Sequence, residues 1–154
     1  MGLKNSLQKF LLKRPFKKKT EKEKLLSARV SKIIGQNVKN LDYYQEAFSL
    51  KIPNKTTGAK NYERLEFLGD AVLGSIISCY LYKNYPVANE GFLTQMKSKI
   101  VNRKNLNSLG EKLKLRDFIQ NGGNGNLGEN ISGNLFEAFI GALYLDTNYE
   151  TCEK

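Results

Sequence analysis

Histidine is absent from the 154 residues, and there are only two cysteines, Cys79 and Cys152. The usual zinc sites need clustered Cys or His and a stapled fold needs several cysteine pairs, so both are excluded. A reducing, cytoplasmic setting is the expectation. Long hydrophobic runs are missing as well. The longest, Ala71 to Leu81, is broken by Gly74, Ser75 and Ser78 and falls short of the ~20 apolar residues that span a bilayer. No hydrophobic stretch near Met1 leads into a small-residue cleavage site, so neither a membrane partner nor a targeting segment is expected.

Acidic residues are scarce at one end. Residues 1–32 hold eleven Lys or Arg against two Glu, while residues 33–154 hold 14 basic and 13 acidic groups, so the net charge of +10 is concentrated at the start. Residues 1–20, with Pro15 interrupting any helix, are expected to be a flexible basic tail. Such a tail serves either as a solvated end or as a counterion-releasing contact to nucleic acid. Residues 21–154 are long enough for one domain, and 40% hydrophobic residues make it globular.

Apolar periodicity predicts an all-α fold. The first helix runs from Glu21 to a stop at Gly35, with Leu25, Val30, Ile33 and Ile34 at core spacing. Asn40 to Asp42 caps a second, Tyr43 to Leu50, ahead of Pro53 and a polar loop from Asn54 to Lys60. A long helix begins near Tyr62 and ends at Tyr85-Pro86; another opens at Asn89-Glu90-Gly91 and ends at Ile100; Arg103 to Leu113 forms the next. Residues 121–133, rich in glycine and asparagine, read as a loop without a phosphate-binding pattern. The closing helix is Ile131 to Leu145, and Tyr149 to Lys154 reads as the start of one more.

Within the long helix, Glu63, Glu66 and Asp70 fall in an arc of about 60°, with Leu65, Leu68, Val72 and Ile76 opposite. Carboxylates this close repel by about a kcal/mol per pair near a surface. They suit either a divalent-metal site or the solvated face of an amphipathic helix. The closing helix repeats the design, with Phe136, Phe139, Ile140 and Leu143 on one face and Asn134, Glu137, Ala138 and Gly141 on the other. Gly74 lies one turn beyond Asp70, as Gly141 lies one turn beyond Glu137. The two helices are therefore expected to approach through these glycines and bring Glu66, Asp70, Asn134 and Glu137 together, although packing alone would also account for the glycines. Phe67 stands about 65° from the acids. It is either a partly buried edge residue or one that a second surface covers.

The segment Glu63-Arg64-Leu65-Glu66-Phe67-Leu68-Gly69-Asp70-Ala71-Val72-Leu73 resembles the signature of the ribonuclease III family. The resemblance continues through Asn89-Glu90-Gly91, Lys99 to Leu106 and Phe136 to Asp146, covering roughly residues 25–154. It implies that family's all-helical, homodimeric endonuclease domain over residues 21–154 and Mg²⁺-dependent hydrolysis of double-stranded RNA, with Mn²⁺ as a substitute. It implies metal ligands at Glu66, Asp70 and Glu137, with a fourth acid where Asn134 stands, and further acidic positions at Glu63 and Glu90. The aromatic matching Phe67 inserts into the other subunit. Ribosomal RNA maturation and messenger turnover are the expected work.

Three departures stand out. Asn134 replaces an acid, which leaves open a natural variant with a higher metal requirement, a silenced enzyme or an RNA-binding relative that does not cleave. Leu50 stands where His is common. Gly122 to Ser132 lacks basic residues often found in the equivalent loop. Members of the family usually continue into a double-stranded-RNA-binding domain, which is expected to be missing from this chain.

Overall fold

The structure, a computed structural model, describes residues 18–50, 60–121 and 127–154. The expected tail before Lys18, most of the polar loop and residues 122–126 of the glycine-rich loop lie outside them. Among the described residues the fold is all-helical, with one isolated parallel bridge between Ser49 and Asn121 and no strand. The helices are α1 (Glu21–Ile34), α2 (Leu41–Ala47), α3 (Glu63–Asn84), α4 (Glu90–Ile100), α5 (Arg103–Lys112), α6 (Ile131–Asp146) and α7 (Tyr149–Glu153), with a short 3₁₀ turn at Leu115–Phe118.

Local chemistry sets most of the ends. Thr20 and Glu23 form a reciprocal capping box on α1, which stops at Gly35 in the left-handed region (φ 69°). Asn40, Asn89, Asn102 and Asn148 each accept a backbone N–H at the start of a helix. The Asn40 bond to Asp42 N–H starts α2 at Leu41, two residues earlier than expected. That helix also ends earlier, because Phe48 to Leu50 turn to meet the 3₁₀ segment: Gln120 N–H donates to Phe48 O and Leu50 N–H to Asn121 Oδ1. On α1 the inward residue is Leu26, with Val30, whereas Leu25 is exposed. The 3₁₀ turn, unforeseen from periodicity, contributes buried Leu115 and Phe118, and the Arg29 guanidinium lies over the Phe118 ring.

α6 is the centre of the molecule and packs on α2, α3, α5, α7 and the 3₁₀ turn. Leu135, Ala138, Phe139 and Ala142 are buried against Tyr44, Phe48, Leu65 and Leu115. By length and composition alone α3 could cross a membrane, yet its Leu65, Gly69 and Val72 side lies against α6. The close approach is made by Gly69 and Gly141, not by the expected Gly74. A Cβ on Gly69 would overlap the Glu137 carbonyl, and one on Gly141 the Leu65 carbonyl. Gly74, half-buried on another side of the same helix, faces the tip of Lys97.

The last residue of α6 fastens the other side. Asp146 is buried and accepts from Asn40 N–H (2.6 Å), Lys39 N–H (3.2 Å) and Tyr44 Oη (3.1 Å). Burial first, and then the Asp146 carboxylate, push the Tyr44 hydroxyl well above its ordinary value and keep it protonated. Asp146→Ala strands these donors, so a loss of about 3 kcal/mol is expected in urea unfolding. A loss below about 1 kcal/mol would show that water replaces the carboxylate without cost.

Candidate active site

The Gly69–Gly141 contact sets the two acidic stretches side by side. Glu63, Glu66 and Asp70 of α3 and Asn134 and Glu137 of α6 open onto one cleft of about 610 Å³. Phe67, Val101, Arg103, Leu106, Asn107, Asn130 and Gly133 complete its walls. Phe67 is 81% exposed at the rim. Glu90 is not part of the cleft; it sits in the first turn of α4 and accepts a hydrogen bond from Thr94 Oγ1 (2.6 Å).

The start of α6 is held by its neighbour. Asn130 makes no side-chain cap on this helix. Asn107 of α5 reaches across instead, its Oδ1 accepting from Gly133 N–H (2.8 Å) and its Nδ2 donating to Asn130 Oδ1 (3.2 Å). One turn further along α5, a Cβ on Gly110 would overlap the Ser132 carbonyl. Residues 131–133, which the expected loop and the expected helix shared, are the first helical turn under this grip.

Burial and mutual repulsion both favour the protonated forms of two of the acids. Burial, then Asp70, then Glu66 push the Glu137 carboxyl up to about 7. Burial and Glu63 raise Glu66, with a smaller push from Asp70. Arg103 opposes both shifts and favours the ionised forms. The donor set is all oxygen, which suits a hard divalent cation rather than zinc or copper. Among the described residues no three acidic side chains already stand in a closed ligand cage.

Arg103, Asn107 and Asn130 are the polar side chains of the cleft that the sequence pattern did not connect with the acids. The signal available was the spacing of Arg103, Leu106, Asn107 and Gly110, which is one face of a helix. What that face meets is set by the fold alone.

Residues 63–148 match the Ribonuclease III domain family. A ribonuclease 3 of Flavobacterium psychrophilum is 45% identical over 140 residues, covering 88% of this chain and 57% of that protein. One of Zunongwangia profunda is 49% identical over 127 residues, covering 80% and 52%. The chain thus spans little more than half the length of these relatives. Among solved structures, the nuclease domain of ribonuclease III from Campylobacter jejuni, described as flexible in a region involved in dimer formation, superposes with a TM-score of 0.71 at 28% identity. That match covers 81% of this chain and 89% of the other. Sequence and architecture agree, and this chain belongs to the ribonuclease III family.

Proposed function

We propose that the chain is an endoribonuclease that hydrolyses phosphodiester bonds of double-stranded RNA with Mg²⁺, or Mn²⁺ in its place, at the α3–α6 cleft. The observation that carries this reading is the meeting of Glu66 and Asp70 with Glu137 across the Gly69–Gly141 contact. Glu66, Asp70 and Glu137 would hold the cation, and Asn134 would offer a neutral amide oxygen beside them. When bound, a hard divalent cation lowers the pKa of water and offsets charge on the scissile phosphate and the leaving oxygen. Arg103 favours the ionised, ligating forms of Glu66 and Glu137 without cancelling the net rise of either, and Glu63 adds negative potential at the rim. The substrate's work in the cell would be ribosomal RNA maturation and messenger turnover in the cytoplasm, a setting in keeping with the unpaired Cys79 and Cys152.

Incubation of the protein with a long RNA duplex tests the proposal. Cleavage in Mg²⁺ or Mn²⁺, abolished by chelator, is expected; an intact duplex under every condition would establish the second reading, a binding relative, which Asn134 favours. Asn134→Asp adds a charged oxygen to the donor set, so cleavage by this variant is expected to saturate at a Mg²⁺ concentration about tenfold lower. An unchanged requirement would remove Asn134 from the ligand set.

A second copy would cover Phe67, an apolar side chain left standing at the cleft rim. Phe67→Ala is expected to shift the protein from dimer towards monomer in sedimentation at micromolar concentration. An unaltered profile would discredit this contact.

A further inference from the structure

We infer that Asn107 is the positioning residue of this site: its amide fixes the first turn of α6 and so sets where Asn134 and Glu137 stand relative to Glu66 and Asp70. The inference rests on the metal-site reading above and extends it to a residue that neither holds the cation nor touches the reacting atoms. The amide has both of its functions committed. Oδ1 accepts from Gly133 N–H and Nδ2 donates to Asn130 Oδ1, so the two bonds clasp the residues that precede Asn134 from both ends of the helix start. The orientation follows from the donor it meets, since a backbone N–H requires the oxygen to face it.

The fit is close enough to specify the partner. A Cβ on Gly133 would stand 2.9 Å from Asn107 Oδ1 and 3.2 Å from Asn107 N, closer than such contacts ordinarily come. Gly133 is therefore the residue that lets the amide reach the backbone. No side chain of its own caps α6. Without Asn107 the Gly133 N–H of its first turn loses its cross-helix acceptor, and that turn frays more readily. Asn134 and Glu137 lie in that turn and the next, so fraying displaces them first. Glu66 and Asp70 sit on α3, held by Gly69 and Gly141, and stay in place. Loss of Asn107 would thus separate the two halves of the ligand set without dismantling either helix.

The test is Mn²⁺ binding by the intact chain, measured by calorimetric titration without RNA, for the parent, Asn107→Ala, Asn107→Asp and two controls. Outer residues that orient ligands typically change metal affinity by about 10-fold to 100-fold. Asn107→Ala is expected to weaken Mn²⁺ by about tenfold or more. Asn107→Asp retains an oxygen for Gly133 N–H and is expected to recover most of that loss. Tyr44→Phe, which removes a buried hydrogen bond at the opposite end of α6, lowers stability and leaves Mn²⁺ affinity within twofold. Equal affinity in parent and Asn107→Ala, or an equal loss in Tyr44→Phe, overturns the inference. Glu137→Gln separates it from the underlying reading: if that variant binds Mn²⁺ as the parent does, the site itself is wrong, whereas if it fails to bind and Asn107→Ala does not differ from the parent, only the positioning role falls.

Discussion

Glu137→Gln is expected to lose at least about 100-fold in cleavage of an RNA duplex and, in the absence of metal, to melt at a higher temperature than the parent at pH 8. The first effect follows from removing a charged oxygen that is aimed at developing charge, a loss of about 3 kcal/mol in the barrier. The second follows from linkage. In the folded protein the Glu137 carboxyl is pushed up to about 7, because it is half-buried and faces Asp70 and Glu66. In the unfolded chain it ionises near 4.5. A carboxyl whose folded value is raised contributes its full stability below the unfolded value and loses it as pH rises through the folded one. In chelator, the parent is therefore expected to weaken between about pH 4.5 and 7, and the glutamine variant to lack this decline. Allowing for solvent screening of a partly exposed group, the gap at pH 8 is about 1–2 kcal/mol. Thermal melts across pH 4–8 measure it. A variant less stable than the parent at pH 8 would show that the acids are not crowded as described.

Gly69→Ala is expected to destabilise the fold by about 3 kcal/mol or more, while Gly74→Ala, five residues along the same helix, is expected to stabilise it by about 0.5–1 kcal/mol. Both substitutions replace a helix-interior glycine by the best helix former, so propensity alone predicts the same gain at each. Packing separates them. The new methyl at Gly69 would collide with the backbone of α6 at Glu137, which cannot move without dragging a buried helix. At Gly74 it would stand 3.3 Å from Lys97 Nζ, the free end of a flexible side chain. Urea unfolding of the two variants measures the contrast. Equal effects would mean that α3 and α6 do not touch through Gly69. Because the collision falls on Glu137 itself, Gly69→Ala is also expected to abolish cleavage in whatever fraction remains folded.

Much of this was legible in the residues. Helix starts could be read near Asn40 and Asn89, where an Asn stands before a helical run, and the acidic stripe of α3 follows from the spacing of Glu63, Glu66 and Asp70. The meeting of that stripe with Glu137 was legible too, through glycine. The choice between Gly69 and Gly74 was not, since both lie within one helix and only the direction of packing distinguishes them. Leu25 and Leu26 pose the same problem, because neighbouring leucines satisfy the periodicity equally and the partner decides which is buried. The 3₁₀ turn at Leu115–Phe118 is too short for a periodic signal. Asn107 was hidden for a different reason: its bonds cross from one helix to the start of another, and nothing near it in the sequence indicates the far partner. Glu90 matches an acidic position of the family and stands on α4, outside the cleft of the single chain.

A crystal of the protein soaked in Mn²⁺, with anomalous scattering used to place the ions, shows whether the α3–α6 cleft holds the cation. A peak is expected between α3 and α6, ligated by carboxylate oxygens of Glu66, Asp70 and Glu137. Ions found elsewhere, with those three carboxylates still apart at saturating Mn²⁺, would contradict it.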